Sequence, residues 1–261
     1  MIEEPTMSEL NVERLEAQVK DVYGDVAEEP AKEFHFETGR PLATRLGYDP
    51  DVLEYVPEGA LDSFAGVGHH FDFAALEPRD RVLDLGCGAG TDCFVAAMYV
   101  TETGSVMGID FTDEQLERAR TYAREGGFHN VRAREGHIEE LPFEDERFDA
   151  VISNGVINLS AEKDRVFDEA ARVLKPDGRL AVSDILSEEH LPDSIKSNED
   201  LWAACIGGAM QIEAYTELIE NHGFTVTAMR ENDQYQFTSE QAADACEKYG
   251  VKSLSLQAEL N

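Results

Sequence analysis

Val82-Leu83-Asp84-Leu85-Gly86-Cys87-Gly88-Ala89-Gly90-Thr91-Asp92 decides the fold. Its first part is a short apolar run, as expected of a strand buried on both faces of a parallel sheet. Three alternate glycines follow, which lets the backbone turn tightly and approach a ligand without a Cβ in the way. A helical pattern then runs from Asp92 to Val100. Outward from this stretch, Val106–Ile109, Val131–Ala133, Phe148–Ser153 and Arg179–Ile185 read as further strands. Helices lie between them: one opened by Thr112-Asp113-Glu114 and running to Glu125, another over 160–174 stopped by Pro176 and Gly178. Phe224–Met229 and Tyr235–Thr238 are the expected closing strands, with helices over 198–222 and 239–249. Strands alternating with helices at this spacing predict an α/β fold, a doubly wound, mostly parallel, seven-stranded sheet.

Upstream, residues 1–9 read as an acidic tail. Leu10, Val12, Leu15, Val19 and Val22 follow helical spacing and predict an amphipathic helix over 8–23. Residues 24–60 carry short helical pieces broken by Pro30, Pro41, Pro50 and Pro57. The expected organisation is a tail and helical N-terminal cap over 1–75, a main domain over 76–261, and a helical cap insertion over 186–222.

The chain has 261 residues, with 22 basic and 54 acidic side chains and a net charge of −32. The acids are spread along the chain rather than blocked, and lysine is scarce. Such a surface repels nucleic-acid phosphates and anionic membranes, so neither is an expected partner. It suits a cytoplasm of high salt, where self-repulsion is screened; an ordinary acidic protein using charge for solubility is the plainer alternative. No window approaches the roughly 18–20 unbroken apolar residues of a membrane span. The start, Met1-Ile2-Glu3-Glu4-Pro5, lacks secretory-signal features, so a cytoplasmic location is expected. The four cysteines, Cys87, Cys93, Cys205 and Cys246, have no zinc-ligand spacing and are expected as reduced thiols without a metal.

Asp110 ends the second strand, twenty residues after Gly90, where a carboxylate can accept hydrogen bonds from ribose hydroxyls. A dinucleotide site would share that acid. It would, however, space its glycines Gly-x-Gly-x-x-Gly around a pyrophosphate. Here the spacing is Gly86, Gly88, Gly90, with Asp84 ahead of them. An acid there repels a pyrophosphate and suits a ligand bearing an ammonium and a sulfonium. That favours S-adenosylmethionine over NAD.

The stretch Asp84–Gly90 also resembles the first motif of class I methyltransferases. Gly108-Ile109-Asp110, Leu141-Pro142-Phe143, Phe148-Asp149 and Val173-Leu174-Lys175-Pro176-Asp177-Gly178 extend the resemblance. It implies a Rossmann-like methyltransferase fold, a small-molecule acceptor, and S-adenosylmethionine held by Asp84, Gly86, Cys87, Gly88, Gly90, Asp110, Phe111, Ile138, Glu139, Ser153 and Asn154. Asp84 would serve the amino end, Asp110 the ribose, Ile138 and Glu139 the adenine, and Ser153 and Asn154 the methionine part.

The similarity is closer to one branch, the arsenite methyltransferases. Val82–Phe94 looks like that family's VLDLGxGxGxDCF, and Ile152–Ser160 like its ISNCVINLS. Arg165–Phe167, Ser183–Ile185 and Cys205–Ala209 also match. Soft trivalent arsenic calls for thiolate ligands, ideally three. By resemblance the family has its cysteines where this chain has Gly155, Val67 and Cys205, so one of three remains.

Candidate catalytic residues are therefore Cys205, the pair His69 and His70 as proton acceptors, and Tyr23 as a residue closing over the methionine end. His35, between Phe34 and Phe36, is a candidate lid residue, with Trp202 and Met210 as an apolar wall. Three readings stand: a methyltransferase with an unassigned small-molecule acceptor, an arsenite methyltransferase with an altered thiol set, or a non-catalytic cofactor-binding regulatory module. Oligomeric state is not readable from the chain.

Overall fold

The computed structural model describes residues 12–30, 32, 34, 36–192, 195, 202, 206–238 and 240–261; side chains of 13 and 240–242 are not described. The expected tail over 1–9, His35, Cys205 and most of 193–205 lie outside the described residues.

Seven strands form one sheet: β1 Arg81–Leu85, β2 Ser105–Asp110, β3 Val131–Glu135, β4 Phe148–Asn154, β5 Leu174–Leu186, β6 Phe224–Glu231 and β7 Lys252–Leu260. Their order is β3-β2-β1-β4-β5-β7-β6. β1 to β5 pair in parallel, and β7 runs antiparallel between β5 and β6. The succession reverses between β1 and β4. In a doubly wound sheet the crevice at the carboxyl ends of two such strands is where ligands bind.

β1 shows why the apolar reading held. Val82, Leu83 and Leu85 are fully buried, with Asp84 buried among them. One sheet face is covered by α6 Thr91–Val100, α7 Asp113–Glu125 and the N-terminal helices, the other by α8 Lys163–Val173 and α9 Ile212–Asn221.

The N-terminal helices are α1 Val12–Glu28, α2 Arg40–Leu46, α3 Pro50–Leu53, α4 Glu58–Asp62 and α5 Phe71–Ala74. Pro41, Pro50 and Pro57 do not break helices here; they sit at helix starts, where the missing N–H costs nothing. α1 runs on to Glu28, past the expected end at residue 23, and lies against α7. Gln115 Nε2 donates to the Tyr23 carbonyl at 2.8 Å and Lys20 pairs with Asp113 at 3.1 Å.

Two expectations at the C-terminal end are corrected. Residues 235–238 are not a strand, because Tyr235 and Phe237 pack edge to face and turn into an apolar cluster with Val67 and Ile206. The seventh strand is instead β7, which follows α10 Glu240–Tyr249. Of the helix expected over 198–222, the described helical segment is α9, Ile212–Asn221. No described helix is long and apolar enough to cross a membrane.

Candidate functional site: a glycine loop at the sheet crossover

The loop between β1 and α6 is built on Gly86, Gly88 and Gly90, at φ +70°, +51° and +97°. Positive φ suits glycine and strains other residues. A side chain at Gly86 would also overlap Val156. The N–H groups of Gly86 and Cys87 donate to the Ile109 carbonyl, at 2.8 and 2.9 Å, so the loop is tied across to β2. Asp110, ending β2, accepts from Gly88 N through Oδ2 and from Thr112 N through Oδ1, both at 2.9 Å. These bonds fix its carboxylate at the loop, while burial raises its pKa.

The loop forms the floor of a pocket of about 1230 Å³ of empty space, partly open to solvent. Gly136, His137, Ile138 and Glu139 form one wall, and Phe111 stacks on His137 with ring centres 5.6 Å apart. Glu139 is bonded by the Ser160 hydroxyl. α1 closes the top with Val12, Leu15, Glu16, Val19 and Tyr23. Phe64, Val156 and Leu159 add an apolar side.

Five carboxylate residues line this pocket, Glu16, Asp92, Asp110, Glu139 and Glu162, and among the lining residues there is no Lys or Arg. That lining fits a cationic ligand and opposes a pyrophosphate.

At the base sits a network that the sequence reading did not find. Asp92, in the first turn of α6, accepts from Tyr48 Oη at 2.6 Å and from Asn154 Nδ2 at 3.0 Å. Asn154 Nδ2 also donates to Tyr48 Oη, at 3.0 Å, and Asn154 Oδ1 accepts from the N–H of Val67 at 2.8 Å. Burial raises the pKa of Asp92. Asp84 lies behind the loop, where the Cys93 thiol donates to it at 3.2 Å; burial and then the charge of Asp92 push its pKa well up. Two carboxylates crowded in a buried space without a cation are costly, and a cation entering the pocket relieves that cost.

The scan against family models matches residues 76–223 to the methyltransferase domain. The chain belongs to this methyltransferase family. It is 40% identical over 209 residues to an arsenite methyltransferase of Halobacterium salinarum, which covers 80% of this chain and 53% of that protein. The chain spans about half the length of the first curated relatives it matches. An arsenic(III) S-adenosylmethionine methyltransferase structure from Chlamydomonas reinhardtii superposes with TM-score 0.64 at 34% identity, covering 85% of this chain and 73% of that one. A geranyl diphosphate methyltransferase structure in complex with GPP and sinefungin, TM-score 0.65 at 19% identity, shares the fold.

Against this methyltransferase frame, the expected site residues divide. Gly86, Cys87, Gly88, Asp110, Phe111, Ile138, Glu139, Asn154 and Tyr23 all line the pocket. Asp84, Gly90 and Ser153 stand behind it: Gly90 caps α6, and the Ser153 hydroxyl donates to the Leu85 carbonyl at 3.4 Å, tying β4 to β1. His69 and His70 are not among the lining residues. His69 packs edge-on against Tyr48, with ring centres 4.8 Å apart, and burial lowers its pKa. His70 is fully buried, its pKa lowered to about 3 by burial and then by His69. Neither of its ring nitrogens has a hydrogen-bond partner among the described residues. At that pKa the imidazole stays neutral near pH 7 and is a poor proton acceptor.

Gly155 and Val67, where the resembling family has two thiols, are neighbours: a Cβ added at Gly155 would stand 3.1 Å from Val67 Cγ1. Two positions 88 residues apart in the chain are thus brought together as small apolar groups.

Proposed function

We propose that this chain transfers the methyl group of S-adenosylmethionine to a small molecule held between the glycine loop and α1. The observation that carries this reading is the pocket lining: glycines at positive φ beneath the Asp110 carboxylate, with further carboxylates and no Lys or Arg around them. S-Adenosylmethionine supplies a methyl group already activated on a cationic sulfur. The protein's work is then to bind, align and exclude water.

In this reading Asp110 accepts the ribose hydroxyls, Ile138 and the stacked pair Phe111 and His137 hold the adenine, and Asp92 with Asn154 faces the methionine end. Tyr23 closes over that end from α1. Leu15, Val19, Phe64, Val156 and Leu159 form the apolar wall against which the acceptor lies. An acceptor arriving with a free lone pair needs no base, which agrees with His69 and His70 standing outside the pocket. The helical cap over 1–75 and the insertion over 186–222 belong to the same proposal, with α1 as the lid over the pocket.

Similarity to arsenite methyltransferases favours arsenic as a second reading. Against it, two of the three thiol positions named by the resemblance are Gly155 and Val67. The test is conversion of S-adenosylmethionine to its demethylated product with arsenite, small thiols and phenols offered separately. We expect turnover with at least one carbon-based acceptor and none above background with arsenite. Arsenite turnover that vanishes in Cys205→Ala would establish the second reading; cofactor binding without turnover on any acceptor would favour a regulatory module.

The net charge of −32 extends the proposal to a cytoplasm of high ionic strength. Screening should relieve the self-repulsion, so the melting temperature should rise as KCl is increased from about 0.1 M to about 1 M. A flat or falling curve contradicts that part.

A further inference from the structure

We propose that Cys87 and Cys93 form a two-thiol site for a soft trivalent centre of the organoarsenical class, and that filling it disables the glycine loop. The second clause rests on the cofactor reading above; the first does not.

Cys87 stands on the loop between Gly86 and Gly88 and lines the pocket, whereas Cys93 is in the first turn of α6 and fully covered. Both sulfurs converge over the one position in β2 that lacks a side chain. A Cβ added at Gly108 would lie 2.6 Å from Cys87 Sγ and 2.8 Å from Cys93 Sγ. The Cys87 thiol donates to the Gly88 carbonyl at 3.6 Å and the Cys93 thiol to Asp84 at 3.2 Å. The neighbouring Cys87 thiol, then burial and the charge of Asp84, hold the Cys93 thiol well above its ordinary pKa. It is no reactive thiolate by itself; what distinguishes the site is the pairing, with one member open to the pocket.

The donor count selects the ligand class. A structural zinc ion needs four donors, and no group of three or more His, Cys, Asp or Glu suited to a metal ion occurs among the described residues. A trivalent arsenic that keeps one organic substituent needs two sulfurs, and its softness matches them. An arylarsenoxide, R–As=O, condenses with two thiols: two As–S bonds form, the As–O bond breaks, and the oxygen leaves as water with both thiol protons. No electrons are exchanged. The product ties the loop to α6 and leaves the aryl group in the space bounded by Gly88 and Asp110.

The test treats the native, full-length chain with phenylarsine oxide, followed by mass spectrometry. Trypsin gives the peptide Val82–Arg118, which holds Cys87 and Cys93 and neither of the other cysteines. We expect one adduct on that peptide, stable to excess monothiol, released by a dithiol, and lost in both C87S and C93S. S-Adenosylmethionine at ten times its Kd should slow adduct formation about tenfold. Absence of the adduct, its removal by monothiol, or its persistence in C87S overturns the two-thiol site; peptide mapping of the wild type decides this even where a variant does not fold. Adduct formation without protection, in a protein that binds S-adenosylmethionine, overturns the coupling to the loop. Failure of the cofactor reading appears separately, as absent cofactor binding with the adduct intact.

Discussion

Asp92→Asn should weaken S-adenosylmethionine binding about 100-fold, or about 2.7 kcal/mol. Asp92 is the carboxylate that the fold goes furthest to hold: it is buried, faces the pocket, and accepts from Tyr48 and Asn154. Asparagine has nearly the same shape but no charge. Removing one charge from a buried, hydrogen-bonded charge pair costs roughly 2–5 kcal/mol, and the cation in question is the ligand's. Isothermal titration of wild type and variant measures the difference. An unchanged Kd would mean that the carboxylate does not face the cation and that Asp92 serves only to orient Tyr48.

The second large effect concerns stability. His70→Leu should make the protein less sensitive to acid. In the folded state the His70 pKa is lowered to about 3, whereas the unfolded chain binds a proton near 6.5. Between those values the unfolded state holds more protons, so this group's contribution is fully present above pH 6.5 and is lost as pH falls toward 3. From pH 8 to pH 5 the loss is about 2 kcal/mol. Leucine removes it, and it also removes two buried nitrogens without partners. Urea unfolding at both pH values should show the variant gaining on the wild type by about 2 kcal/mol as the pH drops. Equal acid sensitivity would show that His70 is solvated in solution.

The sheet from β1 to β5 and the glycine loop were legible because a strand buried on both faces must be apolar along its length and a tight loop must be glycine-rich. The end of the chain was harder. Tyr235 and Phe237 are strand-forming residues, but they cover an apolar cluster from a loop. β7 alternates serine and leucine because Ser255 bonds Ser183 at 2.7 Å inside the sheet, a partner 72 residues away.

The site divides in the same way. Asp110 and the Ile138-Glu139 wall follow from local spacing. Asp92 was hidden because an acid in the first turn of a helix is ordinary, being favoured by the helix dipole. Nothing local marks Tyr48, whose bond to Asp92 spans 44 residues. His69 and His70 drew attention as adjacent histidines just after a position where the resembling family has a thiol, yet the partners of His69, Tyr48 against its ring and Arg230 and Ser255 on its carbonyl, are distant in sequence.

The central claim is that this carboxylate-lined pocket holds a sulfonium cofactor. Calorimetric titration of the wild-type chain with S-adenosylmethionine, and separately with NADH, tests it most directly. The account predicts saturable heat with a micromolar-range Kd for S-adenosylmethionine, weakened in Asp110→Ala, and no binding of NADH. No heat and no thermal shift with S-adenosylmethionine, or tighter binding of NADH, would contradict it.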